Sequence, residues 1–232
     1  MSQTWQPSPS RPQLKTGDVH LWLAKLDDAR ESSVGDYLSP AEELRAEAFL
    51  DDQARQTYIR SRGILRDILS RYLQLSPSSI TIEASRQSKP RLKNAEFDLR
   101  FSLSHSHHLA MFAVTLGMEI GVDLERINAA ICNEANAEPF LSEEELAGFQ
   151  ALAPGDRVKA FFTAWTRKEA FAKCRGQGLL ADVKLVQTGL DGAEAVVDGV
   201  FLSSLGVADG YFAALATEVQ PTSVVCWSWT PA

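Results

Sequence analysis

Long apolar runs, paired cysteines and an excess of positive charge are all missing from this 232-residue chain. Its longest apolar stretches, such as residues 109–118, fall well short of the ~20 residues that a membrane-spanning helix requires. The three cysteines, Cys132, Cys174 and Cys226, are odd in number, far apart and form no C-x-x-C pair. That argues against a disulfide framework or a zinc knuckle and for a reducing compartment. A formal net charge of −7 argues against bulk nucleic-acid binding, which needs lysine and arginine to displace counterions. A phosphate-bearing ligand would therefore need a locally basic site. Residues 1–12 are polar and proline-rich with no apolar run behind a basic start, so residues 1–16 read as a flexible N-terminal tail and not as a signal peptide. The expectation is a cytoplasmic protein with neither a membrane nor a nucleic-acid partner.

What is present describes an ordinary globular chain, 45% hydrophobic and 23% charged. Alternation of Val19, Leu21 and Leu23 predicts a first strand over residues 18–26. Ser39, Pro40 and Glu42 have the spacing of a capping box with proline in the first turn. A long helix follows over residues 54–73, with Tyr58, Leu65, Ile68, Leu69 and Tyr72 on one face. Short strands are expected over 80–83, 99–104, 109–116 and 120–125, with Lys89-Pro90-Arg91 in a loop. The second half repeats the order: a helix start at Leu141-Ser142 with Glu145 at the reciprocal position, a long helix over 156–174, then strands near 183–188, 195–200, 211–217 and 224–228. The reading is an α+β chain of two similar halves, 17–117 and 118–232, each a small antiparallel sheet on a long helix, with a cleft between them.

The chemistry is carried by polar residues that break these patterns. On the second long helix Val158, Phe161, Phe162, Trp165 and Ala172 form an apolar stripe, and Glu169 falls inside it, flanked by Lys168 and Lys173. A carboxylate there needs a partner or a metal, and an i,i+4 pair with Lys173 is the simpler account. On the strand 120–125, Ile120, Val122 and Leu124 share one face and Gly121, Asp123 and Glu125 the other. Two carboxylates so placed are either a solvent face or hard oxygen ligands suited to Mg²⁺. His105 ends the apolar face made by Leu99, Phe101 and Leu103, while Ser104 and Ser106 point the other way. His105 is either a satisfied core residue or a group at a cleft, and zinc binding by His105, His107 and His108 is an alternative. Arg62 lies inside the stripe of the first long helix, where it either snorkels over the core or meets a phosphate.

Taken in order, Lys89-Pro90-Arg91-Leu92, Phe101-Ser102-Leu103-Ser104-His105-Ser106, Gly121-Val122-Asp123-Leu124-Glu125 and the run Trp165 to Lys173 resemble the surfactin-type (group II) phosphopantetheinyl transferases. The resemblance spans residues 38–180 and implies coenzyme A as co-substrate, an apo acyl or peptidyl carrier protein as partner, and a monomer. It further implies that Asp123, Glu125 and Glu169 hold Mg²⁺, or Mn²⁺, against the pyrophosphate. His105 and Ser104 would contact the phosphates, and Lys168 and Lys173 would add positive charge. Lys89, Pro90 and Arg91 would line the adenine and ribose end, with Arg45 and Arg62 at the 3'-phosphate. Two positions depart from the family's pattern: Ser102 where many relatives have asparagine, and Glu42 near where some carry a basic phosphate contact. The implied reaction is attack by a carrier serine on the β-phosphate of coenzyme A, with Glu169 as base and Lys173 stabilising the departing phosphate. A metal-dependent phosphohydrolase and a non-catalytic coenzyme A binder are the competing readings.

Overall fold

Residues 3–27, 34–83, 89–93, 97–176 and 183–231 are described by the computed structural model of the chain. In chain order the elements are β1 (Gln6–Pro7), β2 (Asp18–Lys25), α1 (Pro40–Glu47), α2 (Asp52–Leu73), β3 (Ile82–Glu83), β4 (Arg91–Leu92), β5 (Leu99–Ser106), β6 (Leu109–Leu116) and β7 (Ile120–Arg126). There follow α3 (Glu134–Ala137), α4 (Glu143–Ala151), α5 (Pro154–Arg175), β8 (Ala195–Val197), β9 (Val200–Leu205), β10 (Tyr211–Thr217) and β11 (Ser223–Ser228). The strands form a five-stranded sheet in the order β1-β11-β2-β6-β5, a four-stranded sheet in the order β7-β10-β9-β8, and the small pair β3-β4. This is the expected α+β class.

Each large sheet carries one long helix, and the two sheets face each other. Ile64, Leu65, Ile68 and Leu69 of α2 pack on Trp22, Phe101 and Phe112 of the first sheet. The opposite face of that sheet, with Val19, Leu21, Met111 and Ala113, packs on Ile120, Val122, Leu124 and Leu215 of the second. Helix α5 then covers the far side of the second sheet, with Ala170 and Phe171 against Leu202 and Ala214. Both expected capping boxes form, at Ser39 with Glu42 and at Ser142 with Glu145. Glycine at 121 is what lets α5 lie so close to β7: a Cβ there would stand 2.0 Å from the Ala170 carbonyl oxygen and 2.5 Å from the Cys174 nitrogen. Any side chain at 121 would push α5, and the groups it bears, away from the strand.

Four expectations are corrected. Strand β11, expected within the second half, inserts into the first sheet, parallel to both β2 and β1. The expected tail contains β1, and Trp5 donates to the Gly206 carbonyl. Residues 195–200, read as one strand, are a hairpin instead: Val197 pairs with Val200 across Asp198-Gly199, both at positive φ (48° and 75°). The expected strand over 183–188 is a 3₁₀ turn at Val183–Leu185 followed by irregular chain.

The first core also buries a polar trio. Tyr72 accepts a hydrogen bond from Trp22 Nε1 (2.9 Å), which leaves its own hydrogen for His20 Nδ1 (2.9 Å). Burial pushes the His20 imidazole down to about 4, against the pull of the Asp18 carboxylate. The unfolded chain, with histidine at about 6.5, thus takes up a proton that the native state refuses. A neutral His20 costs the fold nothing above pH 6.5; the loss of stability grows as pH falls towards 4 and reaches about 3 kcal/mol once both states are protonated. Urea titrations at pH 7, 5.5 and 4 should show this loss, and His20→Gln should flatten it; an unchanged slope in the variant would refute the assignment.

Candidate active site

Alternation along β7 turns Gly121, Asp123 and Glu125 towards α5, and the close approach at Gly121 brings Glu169 and Lys173 to meet them. Asp123 is 2% exposed. Its Oδ1 accepts from Ser104 Oγ (2.8 Å) and from Lys173 Nζ (2.7 Å). Its Oδ2 is buried with no hydrogen-bond partner among the described residues. Glu125 accepts from Ser106 Oγ at 2.8 Å. Burial, and then the Asp123 carboxylate, raise Glu125 above its ordinary range. Burial and the charges of Asp123 and Glu125 push Glu169 up to about 7 against the pull of Lys173. His105 is lowered by burial first and then by Lys173, with a smaller contribution from Arg62. Three carboxylates, one histidine and one lysine therefore feel one another's charge in a small volume. The sequence's two pattern-breaking elements do converge.

Among the described residues no group of three or more His, Cys, Asp or Glu side chains is already spaced to hold a metal ion. That includes the histidines of the zinc alternative: His108 Nδ1 is bonded to the Tyr211 hydroxyl at 3.2 Å. In this arrangement the cation beside Asp123 is the Lys173 ammonium. The donor set nevertheless suits a hard divalent cation. A buried carboxylate oxygen without a partner, next to two carboxylates kept prone to protonation by burial and mutual repulsion, is an environment such a cation relieves.

Apart from Lys173, the expected cationic residues fall into three groups. Arg45 of α1 and Arg62 of α2 each place a guanidinium 5.6 Å from the Tyr58 ring centroid, so the fold brings these two together, and the field of Arg62 reaches His105. Lys89 and Arg91 meet instead at Glu119, just before β7. Lys89 Nζ donates to Glu119 Oε2 (2.8 Å) and the Ile120 carbonyl (2.6 Å), and Arg91 pairs with Glu119 Oε1 at 2.7 Å. Arg100 joins them at 3.0 Å. Burial would raise Glu119, but the Lys89 and Arg91 cations overcome it and hold the carboxyl below its usual range. Lys89 also lies beside Gly176, the left-handed cap of α5, which puts the Lys89-Pro90-Arg91 segment at the C-terminal end of that helix. Nothing periodic marks Glu119 or Arg100 in the sequence, and neither was anticipated.

Lys168 differs most from expectation. It is one residue, about 100°, round the helix from Glu169, and its ammonium is buried against Glu145 Oε2 (2.7 Å) and the carbonyls of Val183 (2.8 Å) and Val186. Glu42 likewise has a structural duty. It closes the capping box on Ser39 and accepts from Arg66 Nε at 2.7 Å, while Arg66 also donates to the Pro77 and Ile80 carbonyls. On the N-terminal side of Glu169 lies an apolar pocket of about 450 Å³, lined by Ile131, Pro139, Phe140, Phe161 and Trp165 with Glu169 at its polar edge.

Acids clustered on a strand and a helix, with arginine and lysine groups around them, form an arrangement suited to a phosphate-bearing ligand. The chain belongs to the 4'-phosphopantetheinyl transferase superfamily, whose family model matches residues 119–200, the segment that contains Asp123, Glu125 and Glu169. It is 35% identical over 195 residues to the 4'-phosphopantetheinyl transferase HetI of Nostoc sp., covering 81% of this chain and 82% of that protein. It is 32% identical over 164 residues to psf-1 of Bacillus pumilus (68% of this chain, 67% of that). With Sfp of Bacillus subtilis it shares 25% identity over 143 residues, 62% of each chain. The last two are surfactin-type transferases, and the chain is an enzyme of this family.

Proposed function

We propose that the enzyme transfers 4'-phosphopantetheine from coenzyme A to a serine hydroxyl of an apo acyl or peptidyl carrier protein, releasing 3',5'-ADP. The observation that carries this reading is the meeting of Glu169 and Lys173 with Asp123 and Glu125 around a buried carboxylate oxygen that has no partner among the described residues. Asp123, Glu125 and Glu169 are the residues that would hold Mg²⁺, or Mn²⁺ in its place. When bound, the ion neutralises the charge of the pyrophosphate. Arg45 and Arg62 take the 3'-phosphate, and Lys89, Pro90 and Arg91 take the adenine and ribose. Ser104 and His105 face the phosphates. Lys168 was expected to add charge there too, but its buried partners favour a structural part.

Glu169 takes the proton of the serine hydroxyl as the serine oxygen bonds to the β-phosphorus. The bond from that phosphorus to the bridging oxygen breaks, and its electron pair leaves with 3',5'-ADP. Lys173 stabilises the charge on the departing group. A serine that reaches Glu169 has the apolar pocket beside it. One chain supplies all of these groups, so a monomer suffices. All three cysteines are free thiols, which fits the cytoplasm, and no described helix is long and apolar enough to cross a membrane.

Intact-mass spectrometry of an apo acyl carrier protein incubated with the enzyme, Mg²⁺ and coenzyme A tests the reaction. The expected result is a gain of one phosphopantetheine that EDTA abolishes. Consumption of coenzyme A with no gain on the carrier would instead establish the phosphohydrolase. In the same assay Glu169→Gln should lower kcat by about 10²-fold or more. Full activity in that variant would remove Glu169 from the role of base.

A further inference from the structure

Strand β5 presents serine at every second position, 102, 104 and 106, on the face opposite Leu99, Phe101 and Leu103. Each hydroxyl reaches β7, which belongs to the other sheet. Ser102 Oγ accepts from the Val122 N–H at 3.1 Å. Ser104 Oγ donates to Asp123 Oδ1 at 2.8 Å. Ser106 Oγ donates to Glu125 Oε2 at 2.8 Å and accepts from the Arg126 N–H at 3.0 Å. The two strands run side by side in the same direction, joined by a ladder of side-chain hydroxyls where a sheet would use backbone hydrogen bonds.

We infer that this serine ladder aims the two strand carboxylates, and that Ser106 is the positioning residue for Glu125. The inference rests on the reading, proposed above, that Asp123 and Glu125 hold a divalent cation. A hydroxyl has one hydrogen and two lone pairs, so Ser106 satisfies the carboxylate and the Arg126 amide at once. Glu125 is long and only half-buried. The Trp165 side chain also bonds Glu125, so without Ser106 the carboxylate is held from one side and can swing away from Asp123, while the Arg126 N–H loses its acceptor. Ser102 is the internal contrast: among the described residues its hydroxyl bonds to backbone alone, so it ties the strands together without steering a carboxylate. Groups that orient metal-holding side chains change metal affinity by about 10- to 100-fold when removed.

The test is direct Mn²⁺ binding to the full-length protein, read from the electron paramagnetic resonance of free Mn²⁺. Ser106→Ala should raise the Mn²⁺ Kd by about 10-fold. Ser106→Thr, which keeps the hydroxyl, should return it to within about threefold of wild type, and Ser102→Ala should leave it there. Circular dichroism confirms that each variant is folded. Equal Mn²⁺ affinity in wild type and Ser106→Ala would overturn the positioning role alone, as would failure of threonine to rescue. A wild-type protein that takes up no Mn²⁺ would overturn the metal reading and the positioning role with it.

Discussion

Asp123→Ala should lower the rate of carrier modification by about 10³-fold or more while leaving the chain folded. The side chain is buried, with one oxygen held by Ser104 and Lys173 and the other without a partner among the described residues. A buried carboxylate oxygen left unpaired is a cost to stability that a purely structural residue has no reason to carry. Removing it leaves Lys173, whose side chain is 29% exposed, able to find water. The stability change should therefore be small, within about 1 kcal/mol. Activity, by contrast, loses the residue at the centre of the charge cluster, the only carboxylate close enough to accept from Ser104 and Lys173 together among the described residues. Single-turnover mass spectrometry and urea denaturation on the same samples separate the two effects. A variant within tenfold of wild-type rate would remove Asp123 from the machinery, whatever its stability.

The site was legible in the sequence wherever a local period exposed it. Glu169 stood out because helix geometry put it in an apolar stripe, and Asp123 and Glu125 because strand alternation put them on one face with Gly121. That glycine then proves to set the distance at which helix and strand meet. Partners that depend on tertiary closure left no such mark. Arg66 is 1% exposed because Glu42 arrives from a different helix, which no helical period signals. Glu119 gathers Lys89, Arg91 and Arg100 from two segments of the chain. The return of β11 into the first sheet is a matter of strand order, and alternation within a strand says nothing about its neighbours. The hairpin at Asp198-Gly199 is a different case. Its turn signal was present, and reading 195–200 as one strand overlooked it.

Lys168 poses the sharpest choice between a role implied by resemblance and a role given by contacts. Its ammonium is bonded to Glu145 and to the carbonyls of Val183 and Val186, and the two paired side chains are 2% and 5% exposed. Glu145 in turn accepts from the amides of Ser142, Thr188 and Gly189. The pair thereby ties the 183–189 segment to α4 and α5. Burial would raise the Glu145 carboxyl, but Lys168 and those amides overcome it and hold the carboxyl below its usual range. Lys168→Met strands that anion and should cost about 3–5 kcal/mol, which for a chain of this length lowers Tm by roughly 10 °C. Adding Glu145→Gln to the same protein removes the stranded charge and should recover a large part of the loss, a coupling that a double-mutant cycle reads directly. A lysine whose duty is to meet phosphate gives the opposite pattern. Lys168→Met would then melt near the wild-type temperature and raise KM for coenzyme A, with no coupling to Glu145. The buried geometry requires the first pattern, because an ammonium already bonded to a carboxylate and two carbonyls has spent its three hydrogens.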